Sequence, residues 1–309
     1  MDIKRIVKSQ KLRHRLMRLG SFLPDRIMLP LQYRVLLKRW PNLKDPKRFT
    51  EWIQYYKMHY HNPLMLECVD KYTVRNYVQK IIGSEYLINL YCCCKDASEL
   101  DFKSLPQKFV IKTTSGGNGD NVLIVKDKSN LKLSETISKV NSWLRKNYSN
   151  TSREWAYSRA ANNPLILVEE YIENTPTSLD DYKFYCYNGK FKFLDLHKDR
   201  YYNHTRALFN DQLEFIEEVK GNYTTSIEAP SLPENIKEMI TIAENLAKSF
   251  PFVRVDLYNV KGKIYFGELT FYPASGFSPY SPDSFDYELG KYFPDKNDEI
   301  WTKYTHAGK

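Results

Sequence analysis

Two carboxylates inside a predicted β-hairpin are the residues of this sequence best suited to chemistry. Asp256 and Glu268 lie within residues 252–271, where β-branched and aromatic residues alternate on both sides of a glycine-bearing turn. Strand interiors disfavour acids unless solvent, a partner or an ion takes the charge, and carboxylates together with nucleotide phosphates commonly hold Mg²⁺. The pattern favours a metal and phosphate site beside Arg254 and Thr270. The alternative is an exposed hairpin face whose acids pair with Arg254, and a bulge decides whether both acids share a face.

A second candidate phosphate site spans residues 108–125. This stretch predicts two strands joined by a loop rich in Ser, Thr, Asn and Gly, with Lys112 at the end of the first strand. Glycine lets backbone N–H groups approach phosphate oxygens closely, and the lysine supplies positive charge. The order differs from the Walker pattern, because the lysine precedes the glycines and no helix follows. A flexible hairpin tip is the alternative.

A third candidate lies at the end of a predicted buried strand. Residues 164–172 form an apolar run that carries Glu169 and Glu170 near its end, before Pro176 breaks the pattern. Backbone groups and carboxylates at such a junction suit an adenine amino edge and ribose hydroxyls.

The elements around these stretches alternate between helices and strands. One helix is predicted to begin at a Thr50 cap, and a second runs from about residue 70 to a stop at Gly83. Strands are predicted at 85–91 and 191–197, and we expect His197 to be structural. Further helices are predicted at 134–147 and 233–250, the latter burying Met239, Ile242, Ala243 and Leu246.

Composition limits the class of protein. The 309 residues suffice for one large domain or two ordinary ones, and 46 Lys and Arg against 37 Asp and Glu leave a formal charge of +9. This charge favours anionic partners such as nucleotide, nucleic acid, acidic polysaccharide or anionic lipid, without choosing among them. There is no apolar run of roughly 18 residues and no signal-peptide pattern, so we expect a cytoplasmic protein. The five cysteines lack zinc-finger spacing and are expected to be reduced thiols.

The first 20 residues are basic and amphipathic. Seven Lys or Arg lie between Lys4 and Arg18, interleaved with apolar residues. We favour a helix whose apolar stripe packs on the main body. The alternative is a peripheral contact with the inner face of an anionic membrane, or with a polyanionic substrate.

Taken in order, these stretches resemble an ATP-grasp enzyme. More narrowly, the sequence resembles the TupA-like branch, which is associated with teichuronopeptide and capsular polysaccharide assembly. The resemblance covers about residues 40–295. Its motifs are 109–112, the glycine loop, 167–172, 254–256 and 267–270, together with 45–51, 70–72, 181–189, 199–200 and 265–273.

The resemblance implies ATP as a ligand. Lys112 would contact the α- and β-phosphates, and the loop 113–119 would close over the triphosphate. Glu169 and the backbone after it would line the adenine and ribose end. The implied nucleotide-binding residues are Lys112, Ser115, Gly116, Gly117, Gly119, Glu169, Glu170, Tyr171, Ile172 and Lys183.

Catalytic and metal roles are implied for the later motifs. Lys183 and Arg200 would face the phosphates or the incoming carboxylate, and Arg254 would steady the developing acyl phosphate. The implied Mg²⁺ ligands are Asp256, Glu268 and Thr270. The backbone at Ser275 and Gly276, directly after the metal strand, and His204 in a polar loop are candidate substrate contacts.

The sequence departs from the family pattern at two positions. Glu-x-Asn is common at the metal, whereas this chain has Thr270 two residues after Glu268. The number of bound metal ions, one or two, is therefore left open. Related glycine loops carry a histidine where this chain has Ser115, so no role of that histidine transfers.

The implied activity is ATP- and Mg²⁺-dependent carboxylate–amine ligation. A carboxylate would be activated as an acyl phosphate, and an amine would then displace phosphate. We expect an amino acid as the amine and a uronic acid or glutamyl carboxylate, possibly within a polyanion, as the acceptor in surface polysaccharide synthesis, with no nucleic acid partner. The alternatives are a nucleotide-sugar-dependent glycosyltransferase, although no Asp-x-Asp follows a Rossmann-type strand, and a non-enzymatic anion-binding module.

We expect an α/β fold of α+β character in which two ATP-grasp lobes sandwich ATP. Residues 1–99 would form a helical region and a first αβ subdomain. The small lobe with its glycine-rich lid would span 100–172, and the large lobe with the metal site would span 173–309.

Overall fold

Helices and two β-sheets make up the part of the chain that the structure describes. The computed structural model describes residues 23–116, 121–145, 152–160, 163–173, 179–199, 204–217, 224–226 and 228–305. The predictions for residues 1–20, Gly117, Gly119 and Arg200 lie outside these ranges. The described α-helices are α1 (Asp25–Leu37), α2 (Phe49–His59), α3 (Leu64–Val69), α4 (Val74–Ile82), α5 (Leu133–Leu144), α6 (Trp155–Ala160), α7 (Ile236–Ala247), α8 (Asp283–Lys291) and α9 (Glu299–Thr302).

None of these helices has the length and apolar character that crossing a bilayer requires. The helix predicted from Thr50 begins one residue earlier, at Phe49, so Thr50 is not its cap. The Thr50 hydroxyl donates instead to the buried carboxylate of Asp286, at 2.7 Å. Glu51 satisfies the helix start, because its Oε2 accepts from the backbone N–H of Lys47 at 3.0 Å and of Arg48 at 3.1 Å.

The smaller sheet is antiparallel, with the strand order β1-β4-β2-β3. Its strands are β1 (Leu90–Cys94), β2 (Phe109–Thr113), β3 (Val122–Val125) and β4 (Ile166–Glu170). Helix α5 closes a hydrophobic core against it, in which Phe109, Ile111 and Trp143 are buried.

The start of this sheet corrects one prediction. The strand expected at 85–91 begins later, because Ser84–Tyr86 forms a 3-10 turn and pairing with β4 starts at Leu90. Strand β1 belongs to the smaller sheet, although it lies before residue 100, where the small lobe was expected to begin.

The larger sheet has the order β10-β9-β5-β6-β7-β8. Its strands are β5 (Asp181–Tyr187), β6 (Lys190–Lys198), β7 (Thr205–Asn210), β8 (Thr224–Thr225), β9 (Phe252–Val260) and β10 (Lys263–Thr270). All neighbours are antiparallel except β7 and β8. The predicted hairpin is confirmed as β9 and β10.

The larger sheet is buried on both faces, and its two faces differ in chemistry. The predicted helix 233–250 is confirmed as α7, and its buried Met239, Ile242, Ala243 and Leu246 belong to the same core as the apolar strand residues. Because side chains alternate along a strand, the intervening positions point to the opposite face. That face carries Asp181, Lys183, Tyr185, Asp195, His197, Arg206, Arg254 and Asp256, all of which line one cavity.

Candidate active site

A cavity of about 520 Å³ lies between the two sheets and contains most of the predicted site residues. The smaller sheet contributes the face that carries Lys112 and Glu169, and the larger sheet contributes its polar face. The predicted residues that line the cavity are Lys112, Ser115, Gly116, Glu169, Glu170, Tyr171, Ile172, Lys183, His204, Arg254, Asp256 and Glu268.

A β-bulge at Gly267 brings the two predicted metal ligands together. Phe266 pairs with Leu257, but the next pair is Glu268 with Asp256. Without the extra residue, Glu268 would lie opposite Val255, whose side chain is buried in the apolar core on the other face. The bulge therefore turns Glu268 onto the cavity face beside Asp256.

Three oxygens converge on one atom of Arg254. Its Nη2 lies 2.6 Å from Asp256 Oδ2, 3.2 Å from Glu268 Oε1 and 3.0 Å from Thr270 Oγ1. Its Nε donates to Asp256 Oδ1 at 2.6 Å. The ion pairs between Arg254 and the two acids, which the alternative interpretation of the hairpin predicted, are therefore present. The same contacts place three hard oxygen donors within reach of a single cation.

These oxygens fit a Mg²⁺ site that phosphate oxygens would complete. Mg²⁺ is commonly bound through one or two carboxylates plus substrate phosphates, and two carboxylates and a hydroxyl are what Asp256, Glu268 and Thr270 offer. In the described ranges, no group of three or more His, Cys, Asp or Glu side chains is placed to hold a metal ion by itself. The donor set therefore fits a metal bound together with nucleotide.

Lys183 links this cluster to the next strand. Its Nζ lies 2.5 Å from Asp256 Oδ2 and 2.5 Å from Asp181 Oδ2. Burial alone would lower the pKa of the Lys183 ammonium, but the two carboxylates outweigh burial and raise the pKa. Lys183 is therefore a fixed positive charge on the cavity wall.

The opposite wall holds the predicted nucleotide end. Lys112 Nζ lies 2.5 Å from Glu169 Oε2, and Arg75 Nη1 lies 3.5 Å from Glu169 Oε1. Val110 pairs with Glu169 and Lys112 pairs with Leu167 across β2 and β4, so Lys112 and Glu169 are diagonal neighbours on one face of the smaller sheet. Two cations thus hold a buried acid in the cavity wall.

Lys71 is a cavity residue to which the sequence analysis gave no role. Its Nζ donates to the carbonyl oxygen of Gly116 at 2.7 Å, so it contacts the glycine-rich loop directly. Burial lowers the pKa of its ammonium, and the neighbouring charge of Lys112 lowers it further. Its sequence signal was the 70–72 motif of the family resemblance, and Asp70 Oδ1 accepts from the N–H of Tyr72 at 2.9 Å in the turn that precedes α4.

A second polar cluster lines the cavity on β6 and β7. Arg206 binds Asp195 through two hydrogen bonds, of 2.6 Å from Nε and 2.8 Å from Nη2. His197 Nε2 lies 3.1 Å from Asp195 Oδ1, and His197 Nδ1 lies 2.8 Å from His204 Nε2. Burial alone would raise the pKa of the Asp195 carboxyl, but Arg206 and His197 outweigh it and hold the pKa below its usual range.

Comparison with known proteins identifies the family. A family model described as TupA-like ATPgrasp matches residues 51–294, which include every predicted site residue. The chain belongs to the TupA-like ATP-grasp family. The expected fold class, with helices and antiparallel sheets in an ATP-grasp protein, is thereby confirmed.

Solved structures resemble this TupA-like ATP-grasp protein only distantly. A D-alanine–D-alanine ligase from Bacillus anthracis is 21% identical, with a TM-score of 0.39, over 66% of this chain and 57% of that one. The Helicobacter pylori enzyme is 16% identical, with a TM-score of 0.42, over 79% and 68%. An L-amino acid ligase from Bacillus licheniformis is 16% identical, with a TM-score of 0.41, over 87% and 56%.

The chain thus spans little more than half of the Bacillus anthracis ligase. No curated protein matches the sequence. The family model alone therefore carries the assignment to the TupA-like ATP-grasp family.

Two predicted substrate contacts of this TupA-like protein do not reach the cavity. The carbonyl oxygen of Ser275 accepts from Lys57 at 2.7 Å and from Gln54 at 3.0 Å, and that of Gly276 accepts from Gln54 at 3.1 Å. A carboxylate would need backbone N–H donors instead, and the N–H of Ser275 donates to the carbonyl oxygen of Tyr272 at 2.8 Å. Their neighbours Pro273, Ala274 and Ser278 line the cavity instead.

Proposed function

We propose that this TupA-like ATP-grasp protein is an ATP- and Mg²⁺-dependent carboxylate–amine ligase that acts through an acyl phosphate. The convergence of Asp256, Glu268 and Thr270 on one cationic atom, in the cavity that Lys112 also lines, is the observation that carries the proposal. Phosphoryl transfer needs charge neutralisation and alignment more than it needs a nucleophile from the protein, and this cavity supplies the charges.

Each wall of the cavity has a part in the proposed reaction. Lys112 and Lys71 neutralise phosphate oxygens and hold the glycine-rich loop, while Lys183 and Arg254 keep the acids of the larger sheet in place. Asp256, Glu268 and Thr270 would hold Mg²⁺, which would neutralise charge on the transferred phosphoryl group. The substrate carboxylate forms a bond to the γ-phosphorus as the bond to ADP breaks. The amine then attacks the carbonyl carbon, and phosphate leaves.

We further propose that the amine is an amino acid and that the carboxylate belongs to a uronic acid or a glutamyl group of a surface polysaccharide precursor, joined at the cytoplasmic face. The formal charge of +9 supports a polyanionic acceptor. The family resemblance supports the polysaccharide context.

Product release in the presence of single and paired substrates tests the ligase. Purified protein is incubated with ATP, Mg²⁺, a panel of amino acids and a panel of uronic and glutamyl acids, and ADP is measured. The proposal predicts ADP and phosphate release that needs both a carboxylate and an amine. Sugar transfer from a nucleotide sugar without ATP would instead support the glycosyltransferase. If neither activity is detected, the result supports the non-enzymatic anion-binding module.

A further inference from the structure

We propose that the exposed side of helix α1 and the residues just after it bind the surface of an anionic lipid bilayer. The inference goes beyond the proposed ligase function, which places the reaction at the cytoplasmic face but names no surface that contacts a membrane. Apolar and basic side chains alternate on this side of the helix. The α1 surface consists of Ile27, Leu31, Arg34, Val35, Lys38 and Trp40.

Exposed apolar side chains concentrate on the α1 surface. In the described ranges nine large apolar side chains are exposed, and four of them lie between residues 27 and 40. Ile27, Leu31 and Val35 are spaced by four residues, so they follow one side of the helix, and they are 45%, 40% and 37% exposed. Trp40, two residues after the helix cap, is 61% exposed. Single exposed apolar residues are ordinary, whereas a group of them on one face marks a binding surface.

The opposite side of α1 is packed into the protein. Met28, Leu29 and Tyr33 are buried. The Tyr33 hydroxyl lies 2.8 Å from the hydroxyl of Thr50 on α2, so the helix is fixed to its neighbour. A helix anchored in this way can lie parallel to a bilayer and place its exposed apolar side chains among the lipid headgroups.

The positive charge of the chain lies in the same part of the sequence. Residues 1–40 contain 11 Lys or Arg and two acids, whereas residues 41–309 contain 35 of each kind. The first 40 residues therefore account for the whole formal charge of +9. On the α1 surface, Arg34 and Lys38 lie between the apolar side chains, so their alkyl stems can cover lipid while their charged ends reach the phosphates.

The carboxylates near α1 are held by cations outside the α1 surface. Asp25, the one acid of the helix, bonds to the buried Arg153. Asp283 and Asp286 lie 2.5 Å and 2.6 Å from the guanidinium nitrogens of Arg39. Arg34, in contrast, donates to the carbonyl oxygen of Lys38 at the end of the helix. These acids are therefore paired with other residues.

A bilayer accounts for both properties of the α1 surface. Charge alone would suit a polyanionic acceptor equally well, but a hydrated polyanion makes no use of exposed apolar side chains. In the described part of the chain, no residue before Lys71 lines the cavity, so the surface is separate from the candidate active site. A second copy of the chain would bring Arg34 and Lys38 against the same charges, which repel.

Flotation with lipid vesicles tests the apolar part of the α1 surface. The intact chain is mixed with vesicles of phosphatidylcholine, or of phosphatidylcholine and phosphatidylglycerol, and we expect binding to the anionic vesicles that weakens with added salt. The triple variant Ile27→Gln, Leu31→Gln, Val35→Gln should bind them about tenfold or more weakly. Ile81→Gln with Leu133→Gln, which changes exposed apolar residues on other helices, should stay within about twofold of the wild type.

A second pair of variants tests the charges. Arg34→Gln with Lys38→Gln should weaken binding to the anionic vesicles by about 10-fold to 30-fold, since each basic residue near such a surface adds attraction. Lys132→Gln with Lys190→Gln, two lysines with highly exposed side chains elsewhere, is the control. Urea unfolding of each variant shows whether the fold is kept. Wild-type binding that neither the apolar nor the charge variant weakens would assign the contact to residues 1–20 and overturn the proposal.

Tryptophan fluorescence gives a readout of insertion. All five tryptophans lie in the described ranges, and Trp40 is the exposed one among them. Anionic vesicles that contain lipid with brominated acyl chains should quench the emission of the wild type, and Trp40→Phe should lose most of this quenching. Bound protein that is not quenched, or equal quenching in both proteins, would contradict insertion of the α1 surface.

Other occupants of the α1 surface give different results. Wild-type protein that binds a soluble uronic acid polymer but no anionic vesicles would overturn the proposal. A dimer that the triple variant dissociates, without any vesicle binding, would overturn it in favour of a second copy. ADP release with soluble substrates is measured separately. Vesicle binding without ADP release contradicts the ligase function alone, and ADP release without vesicle binding contradicts the membrane surface alone.

Discussion

At the residue scale, Asp256 and Glu268 are similar acids in different surroundings. The side chain of Asp256 is 2% exposed and contacts Lys183 and Arg254, whereas that of Glu268 is 48% exposed. Removing the charge of Asp256 would leave two cations in the cavity wall without their main partner, and that would damage the fold. Glu268 is therefore the position at which function can be separated from stability.

Glu268→Gln is expected to lower ADP release by at least about 100-fold, because it removes one negative ligand charge and keeps the side-chain shape. The free energy of unfolding should change by about 0.5 kcal/mol or less, since the side chain is half exposed. Urea unfolding checks the second point. Glu135→Gln, an exposed acid on α5, is the control. Wild-type turnover in Glu268→Gln would contradict the proposal that Glu268 is a metal ligand.

Lys112→Ala is expected to weaken nucleotide binding about tenfold or more, since a charge-assisted contact with phosphate is lost. The ligand-free variant should also be less stable, because the buried Glu169 loses its 2.5 Å ion pair with Lys112 and keeps the longer one, of 3.5 Å, with Arg75. The informative measurement is therefore the thermal shift caused by a non-hydrolysable ATP analogue within each variant. Lys132→Ala, an exposed lysine paired with Glu135, should show the wild-type shift. An equal shift in Lys112→Ala would exclude its predicted contact.

Residue types predicted much of the site, and tertiary contacts decided the rest. Acids within strands and a lysine before glycines are local patterns, so Asp256, Glu268 and Lys112 could be read from the sequence. Lys71 and Arg206 could not, because their roles come from partners on other elements: Gly116 for Lys71 and Asp195 for Arg206. Ser275 does not line the cavity, and nothing near it in sequence shows that it packs against Lys57 of α2.

At the element scale, the bulge in β10 decides whether the two acids can act together. A Cβ atom at Gly267 would lie 2.9 Å from the carbonyl oxygen of Asp256 and 3.2 Å from the ring of Tyr258. The absence of a side chain there lets the bulge and its partner strand approach closely.

Gly267→Ala is expected to cost about 1 to 3 kcal/mol of unfolding free energy and to lower turnover, because the backbone of Asp256 must move away from Glu268. Gly262→Ala in the hairpin turn is the control. Its φ of +87° makes alanine strained, but nothing lies within 4 Å of the added atom, so stability should fall by about 1 kcal/mol and turnover should persist. Turnover that survives in Gly267→Ala as it does in Gly262→Ala would show that the bulge is dispensable.

Helix α2 controls the loop that follows β10 through a buried lysine. Lys57 Nζ donates to Ser275 O at 2.7 Å, Ser152 O at 2.9 Å and Gln54 Oε1 at 3.2 Å. The loop needs such support, because Ala274 and Ser275 have φ values of 46° and 55°, in the left-handed region. Burial lowers the pKa of Lys57 to about 8, although Glu154 and Asp25 act in the opposite direction.

This lowered pKa predicts a pH-dependent stability. Between about pH 8 and 10.5, Lys57 is neutral in the folded protein but still charged when unfolded, so the unfolded state binds more protons and stability rises with pH. The unfolding free energy of the wild type, relative to Lys57→Met, should increase by up to about 3 kcal/mol across this window. Urea titrations of both proteins measure it, with Lys132→Met as the exposed control. A constant difference would contradict the lowered pKa.

The boundaries of elements were harder to predict than their existence. Alternation along 252–271 and helical spacing along 233–250 are long patterns, and β9, β10 and α7 follow them. The predicted position of the strand at 85–91 was wrong, because Leu90–Cys94 pairs with β4, which lies more than seventy residues later in the sequence. Thr50 is a good cap by type, but its hydroxyl bonds to Asp286, a partner that no local pattern reveals.

At the scale of the whole molecule, two sheets from different parts of the chain meet at one cavity. The smaller sheet contributes Lys112 and Glu169, and the larger sheet contributes a continuous polar face that includes Arg254 and Asp256. The net charge of the chain does not describe this cavity, in which acids and bases are closely paired.

The central claim is that the acids of β9 and β10 bind nucleotide through a divalent cation. Calorimetric titration of a non-hydrolysable ATP analogue, with Mg²⁺ and with a chelator, tests it on the wild type and Glu268→Gln. We predict that tight binding to the wild type needs Mg²⁺ and that Glu268→Gln loses most of the gain from Mg²⁺. Equal affinity with Mg²⁺ and with the chelator in the wild type would contradict the account.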